Sequence, residues 1–255
     1  MVTKNNYGEL CTEVYNLTKK IGQSFGGDIE FYRSRLIGSK GRSLEVMVGS
    51  GRVLIPLLEA GISIDGMDAS AEMLAACKAS LSERGLSAKL YCGHLQQLEL
   101  PLKYENIIIP SGSFLLIEKR DESLTALRAM FNHLVEGGTL LFDIFLPTEN
   151  FEAGKAIRTM TVNCPNDNLI TMEEKLVEVN FLDQYKVSYL KYEKWRKGSL
   201  IQTELQRFAI RWYGIEEMKL ILKDVGFSQV KVIADFECGK EPTHARQNFV
   251  FEAIK

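Results

Sequence analysis

Four residues within one short stretch have the types and spacing to hold a nucleoside. They are Glu45, Gly49, Gly51 and Asp68, inside SLEVMVGSGRVLIPLLEAGISIDGMDASAEML, which runs from Ser43 to Leu74. The glycines give a loop with little side-chain bulk, and an acid about 17 residues beyond Gly51 falls where nucleotide folds meet ribose hydroxyls. Positioning these groups takes a strand, a turn, a helix and a second strand. SLEVMV is a compact apolar run suited to a buried parallel strand, and RVLIPLLEAG reads as a helix stopped at Gly61. Ile62 to Met67 restarts the strand pattern, and Asp68 closes it. A nicotinamide fold requires a third glycine three residues past the second; this chain has Leu54 there, which argues against a dehydrogenase.

The stretch resembles motifs I and II of the class I S-adenosylmethionine-dependent methyltransferases. Their first loop runs E/D-x-G-x-G-x-G, and their second strand ends in an acid followed by a helix. Glu45, Gly49, Gly51 and Asp68 match in order, while Met47 stands where the family carries glycine and would crowd the methionyl part of the cofactor. The resemblance implies S-adenosyl-L-methionine as cofactor, with those four matching residues in its site and with Ala69 and Met73 against one face of the adenine.

A third strand, Ala88 to Cys92, leads to Gly93-His94-Leu95, where the family has an acid that accepts from the adenine amino group. His94 either accepts the same bond through a neutral imidazole nitrogen or is a plain loop residue, and Leu95 adjoins it. The apolar strand Asn106 to Pro110 ends in SGSFLLI, which places Pro110, Ser111 and Ser113 near the reacting centre, because ligands in open α/β sheets collect outside the carboxyl ends of the strands. The N-P-P-Y or D-P-P-Y tetrad of enzymes that methylate nucleobase amino groups is absent.

Downstream, ESLTALRAMFNHLVEGG gives a helix and TLLFDIFLP strand five, with His133 structural and Asp143 a weaker acceptor-site candidate. GIEEMKLILKDVGF is a further helix, followed by strands at Gln229 to Ile233 and Gln247 to Ile254. The implied fold is α/β: a Rossmann-like seven-stranded sheet whose last strand is antiparallel. Between the two halves, KLVEVNF, KVSYLKYEKW and SLIQTELQRFAIRWY alternate apolar and polar residues, so three or four antiparallel strands form an inserted sheet. In many small-molecule N- and O-methyltransferases such an insertion roofs the acceptor pocket; the other reading is a homodimer surface. Arg211 and Tyr213, at the return from the insertion, are the residues expected to face the acceptor, the alternatives being a solvated arginine and a core tyrosine.

Residues 1–42 are polar and tyrosine-bearing, broken by Gly26-Gly27 into two helical pieces with Asp28 capping the second. By the same resemblance this segment closes over the cofactor and acceptor, so Tyr15, Tyr32 and Arg35 are candidate contacts, against the alternative that they pack on the sheet. Arg35 suits the cofactor carboxylate, which a guanidinium grips bidentately. The organisation is then a helical lid over 1–42, a methyltransferase core over 43–150 and 214–255, and the β insertion over 151–213.

Composition narrows the classes of partner. A chain of 255 residues with 45% hydrophobic and 25% charged positions buries one sizeable core, and a net charge of −2 gives no pull toward nucleic acid or anionic lipid. The basic cluster Lys191, Lys194, Arg196 and Lys197 reads as a solvated strand edge. Five dispersed cysteines without a C-x-x-C pair indicate neither a disulfide framework nor a metal site, and fit free thiols in the cytoplasm. No run approaches the roughly 20 apolar residues that cross a bilayer, and the amino terminus lacks a secretory pattern. The expectation is transfer of a methyl group to nitrogen or oxygen of a small-molecule acceptor, without nucleic acid or membrane as partner. The alternatives are an RNA or protein methyltransferase and a degenerate, non-catalytic scaffold.

Overall fold

The computed structural model describes residues 7–148, 154 and 156–255. Its strands are β1 (Ser43–Val46), β2 (Ile64–Asp68), β3 (Leu90–Cys92), β4 (Tyr104–Ile109), β5 (Leu134–Phe145), β6 (Ala156–Cys164), β7 (Asn168–Asn180), β8 (Tyr185–Arg196), β9 (Ser199–Arg211), β10 (Gln229–Ala234) and β11 (Asn248–Ile254). Seven of them form one sheet in the order β3-β2-β1-β4-β5-β11-β10, and β6 to β9 form a separate four-stranded antiparallel sheet. In the large sheet β1 to β5 are parallel, whereas β11 is antiparallel to both β5 and β10.

The parallel strands read as near-continuous apolar runs because helices cover both faces. On one face lie α2 (Asp28–Leu36), α3 (Leu54–Glu59) and α4 (Ala71–Glu83), packing Ile29, Leu54 and Cys77 against Ile108 and Leu141. On the other lie α5 (Arg120–His133) and α6 (Ile215–Val225), where Leu127, Met130 and Leu222 meet Phe142 and Phe251. A third, smaller core forms where α1 (Glu9–Thr18) lays Leu10 and Val14 on Ile170, Met172 and Leu190 of the inserted sheet.

Element edges differ from the sequence pattern where backbone chemistry intervenes. Strand β2 begins at Ile64 rather than Ile62, because Gly61, at φ 80°, ends α3 and the Ile62 N–H turns back to Leu57 O at 3.1 Å. Strand β5 starts at Leu134, five residues before the apolar run, by pairing with Tyr104 across a bulge. The cap of α2 is Gly27, not Asp28; Asp28 is the first helical residue, its Oδ1 accepting from the Phe25 and Ile29 amides at 2.8 Å each.

Candidate functional site

The chain reverses its direction of travel across the sheet between β1 and β4, and at such a switch point the loops part to leave a crevice outside the strand ends. A cavity of about 600 Å³ lies there. Its floor is Val46, Met47, Gly49 and Met67, and one wall is Asp68 with Ala69, Ser70 and Met73 at the start of α4. Opposite stand His94, Leu95 and Gln96, and the far end is formed by Ser113 and by residues 116–119 with Glu122. Tyr7 and Tyr15 from the N-terminal segment also line it.

Local chemistry fixes each group. Asp68 accepts the Gly49 N–H on Oδ2 and the Ser70 N–H on Oδ1, each at 2.8 Å. Each oxygen keeps a second lone pair, and together they suit a vicinal diol. Burial raises the Asp68 pKa, and the backbone N–H donors pull it back. Ser70 then caps α4 by accepting from Met73 N at 3.2 Å. Gly51, at φ 89°, must be glycine: a Cβ there would sit 2.9 Å from Cys77 Sγ and 3.1 Å from Ile55. Met47 keeps the left-handed backbone that glycine takes easily, with φ 58°, a conformation that is a true outlier for a bulky residue.

Glu45 lies beneath this floor and does not line the cavity. It is 3% exposed, and its Oε2 has no hydrogen-bond partner among the described residues. Burial raises its pKa well above the usual carboxylate value, against the pull of Arg52. Pro110 is also buried away from the cavity; its carbonyl accepts from the Ser113 hydroxyl at 2.7 Å.

Four expected acceptor contacts are located elsewhere. The Tyr32 hydroxyl is fully buried and donates to Asp143 at 2.8 Å. Arg35 turns to the far edge of α2 and pairs with Glu252 of β11 at 3.2 Å. Arg211 is buried, donating to the Glu118 carbonyl at 2.6 Å, and Tyr213 packs against Phe114 in the core at 5.9 Å. Asp143 is a buried anchor rather than a cavity residue, accepting from the Ser111 and Gly112 amides at 2.9 and 2.7 Å. His133 bridges Leu100 N and Ala129 O, a structural role.

The inserted sheet does not itself line the cavity among the described residues; it braces two parts that do. Glu204 of β9 accepts from Leu10 N and Cys11 N at 2.8 and 3.2 Å, capping α1 from across the fold. Arg207, also on β9, grips both oxygens of the cavity residue Glu118 at 2.5 and 2.6 Å. The basic edge is largely paired: Lys191 with Glu193, Lys194 with Glu13 and Arg196 with Asn168. Gln96, Glu118 and Glu122 line the cavity beyond the residues singled out by motif. The signal for them was positional, since all follow the carboxyl ends of β3 and β4.

The donor set fits S-adenosylmethionine: a carboxylate with two open lone pairs at the end of β2, a bare glycine loop, an apolar slot between Met73 and Leu95, and an orphaned acid beneath. Residues 44–138 match the methyltransferase domain family. The matched residues carry β1 to β4 and most of the cavity lining, and the fold is that of S-adenosylmethionine-dependent methyltransferases of known structure. The chain is 23% identical over 222 residues to the putative methyltransferase YqeM of Bacillus subtilis, covering 85% of each chain. It superposes on the sugar N-methyltransferase KedS8 of a Streptoalloteichus species with a TM-score of 0.76, at 18% identity, covering 100% of this chain and 96% of that one. The S-adenosylmethionine-bound amino pentose methyltransferase CalS10 of Micromonospora echinaspora gives a TM-score of 0.67 at 15% identity, covering 98% and 99%.

Proposed function

We propose that this chain transfers the methyl group of S-adenosylmethionine to a nitrogen or oxygen atom of a small polar molecule. The observation that carries the reading is a cavity of about 600 Å³ that starts at Asp68 and continues past the nucleoside slot to Ser113 and Glu118. That volume lies within the roughly 300–1,000 Å³ typical of ligand sites and suits a nucleoside with a compact acceptor. KedS8 and CalS10, by their names, act on a sugar nitrogen and an amino pentose, which favours an amine on a polar ring as the first acceptor class to try.

When bound, the cofactor supplies an already activated methyl group on sulfur, so the protein's task is alignment and exclusion of water. In this reading Asp68 holds the ribose hydroxyls, Met73, Ala69 and Leu95 sandwich the adenine with His94 at its edge, and Gly49 and Gly51 let the backbone approach the methionyl chain. Tyr15 covers that chain from above, and Ser113 faces the acceptor. The helical lid, split core and inserted sheet belong to the same reading, with the insertion acting as a brace for α1 and Glu118.

Calorimetric titration with S-adenosylmethionine and S-adenosylhomocysteine tests it. Micromolar binding, about −8 kcal/mol, weakened at least tenfold in Asp68→Ala, is the expected result. No heat and no thermal shift at millimolar cofactor would overturn the reading and favour a non-catalytic scaffold.

A further inference from the structure

Arg52 follows Gly51 directly, and its side chain is 3% exposed. Two separate segments converge on it. From the N-terminal segment, Asp28 accepts from Nη2 through Oδ2 and from Nη1 through Oδ1 at 3.3 Å, and Gln23 O accepts from Nη1 at 2.7 Å. Phe25 lies under the guanidinium at 4.8 Å, and the Arg52 carbonyl accepts the Gly22 N–H at 3.1 Å. From the turn after β4, Ser111 Oγ accepts from Nη2 at 2.6 Å.

Ser111 is itself strained, at φ 67°, beside Gly112 at φ 64°. Its amide donates to Asp143 and its hydroxyl bonds Arg52, and each of those partners is engaged from α2, by Tyr32 and Asp28 respectively, one helical turn apart. Two residues further on, Ser113 lines the cavity, as does Tyr15, whose phenol lies against Arg52. Stability alone does not explain this arrangement, because a buried ion pair is commonly matched or exceeded by an apolar pair of similar volume. What the guanidinium uniquely provides is a planar fork with several fixed donors that reach different segments at once.

We propose that Arg52 is a positioning residue of methyl transfer: it ties the N-terminal segment over the cavity to the Ser111 turn at its far end, so that filling the nucleoside site orders both together. The proposal rests on the S-adenosylmethionine reading above.

The test is amide hydrogen exchange with and without S-adenosylhomocysteine, paired with calorimetry, on the full-length wild type, Arg52→Met and Ser111→Ala. In the wild type the ligand slows exchange in residues 7–28 and 110–117 by similar factors, tenfold or more. Ser111→Ala severs only the bond between the turn and Arg52, so it binds the ligand and protects 7–28 while protection of 110–117 falls at least threefold. Arg52→Met weakens binding tenfold and loses the joint protection; if it fails to fold, Ser111→Ala decides alone. Equal protection of both segments in Ser111→Ala, or protection of one segment only in the wild type, would overturn the coupling. Absence of any binding heat in the wild type would instead overturn the cofactor reading, and the coupling with it.

Discussion

Met47 is the position where this chain departs most sharply from the glycine-rich loop, and replacing it with glycine has calculable consequences. The residue is half-buried, lines the cavity, packs on the main core and holds φ 58°. Releasing a left-handed non-glycine backbone returns about 1–2 kcal/mol. Against that, glycine loses about 0.5–1 kcal/mol in conformational entropy, and losing half a methionine's burial costs about 1 kcal/mol. The three terms nearly cancel, so folding stability should move by less than about 1 kcal/mol, or about 2–4 °C in Tm for a chain of this size. Cofactor affinity has no such cancellation, because the thioether is withdrawn from the cavity floor. Met47→Gly should bind S-adenosylhomocysteine three- to tenfold more tightly, about 0.7–1.4 kcal/mol, by calorimetry. Met47→Ala separates bulk from strain: it removes the thioether but keeps a Cβ in the left-handed region, so it should gain the affinity while its uncompensated loss of burial, about 1 kcal/mol, lowers Tm by about 2–4 °C. If both variants bind more weakly than wild type at unchanged Tm, the methionine is a contact surface for the ligand and the crowding argument fails.

Two further outcomes follow from the geometry. Burial raises Asp143 to about 6, with its hydrogen bonds from Tyr32 and the Gly112 amide opposing. An acid raised above its unfolded value of about 3.9 binds more protons folded than unfolded, so its contribution is greatest at low pH and is lost as pH climbs from about 4 to 6, roughly 3 kcal/mol in all. Asp143→Asn should remove that slope in urea unfolding at pH 4.5 against 6.5, while lowering stability at the acid end by leaving one amide donor facing another; an identical difference from wild type at both pH values would refute the buried ionisation. At Gly8 a Cβ would stand 2.7 Å from the Glu204 carboxylate that caps α1. Gly8→Ala should therefore cost about 1 kcal/mol, as helix-cap losses do, and adding it to Glu204→Ala should cost almost nothing more, a non-additivity that thermal melts of the three variants would reveal.

The sheet was legible because its strands are buried on both faces. SLEVMV and TLLFDIF carry continuous apolar runs, and the stops at Gly61, Gly85 and Gly226 sit at φ 80°, 65° and 121°, where any side chain is disfavoured. The glycine loop and Asp68 were legible for a related reason, since their positions depend on backbone geometry that sequence spacing encodes directly. Side-chain direction in the flanking helices was not. Tyr32 and Arg35 share α2, yet one points to Asp143 beneath the sheet's carboxyl edge and the other to Glu252 on β11. The helix is apolar on too little of its circumference to announce which face is inward.

The inserted sheet shows why spacing alone misassigned Arg211. An arginine at the return of an insertion has a plain route to an acceptor, but Arg211 and Arg207 both spend their donors on Glu118, one on its carbonyl and one on its carboxylate. The cavity residue is thus the glutamate, and its charge is met from behind by a strand that also caps α1 through Glu204. Strand β9 therefore fixes two walls that are far apart in sequence. Displacing either wall would break charge-assisted bonds, each worth about 1.5–3 kcal/mol, so the strand holds both walls rigidly without lining the cavity itself.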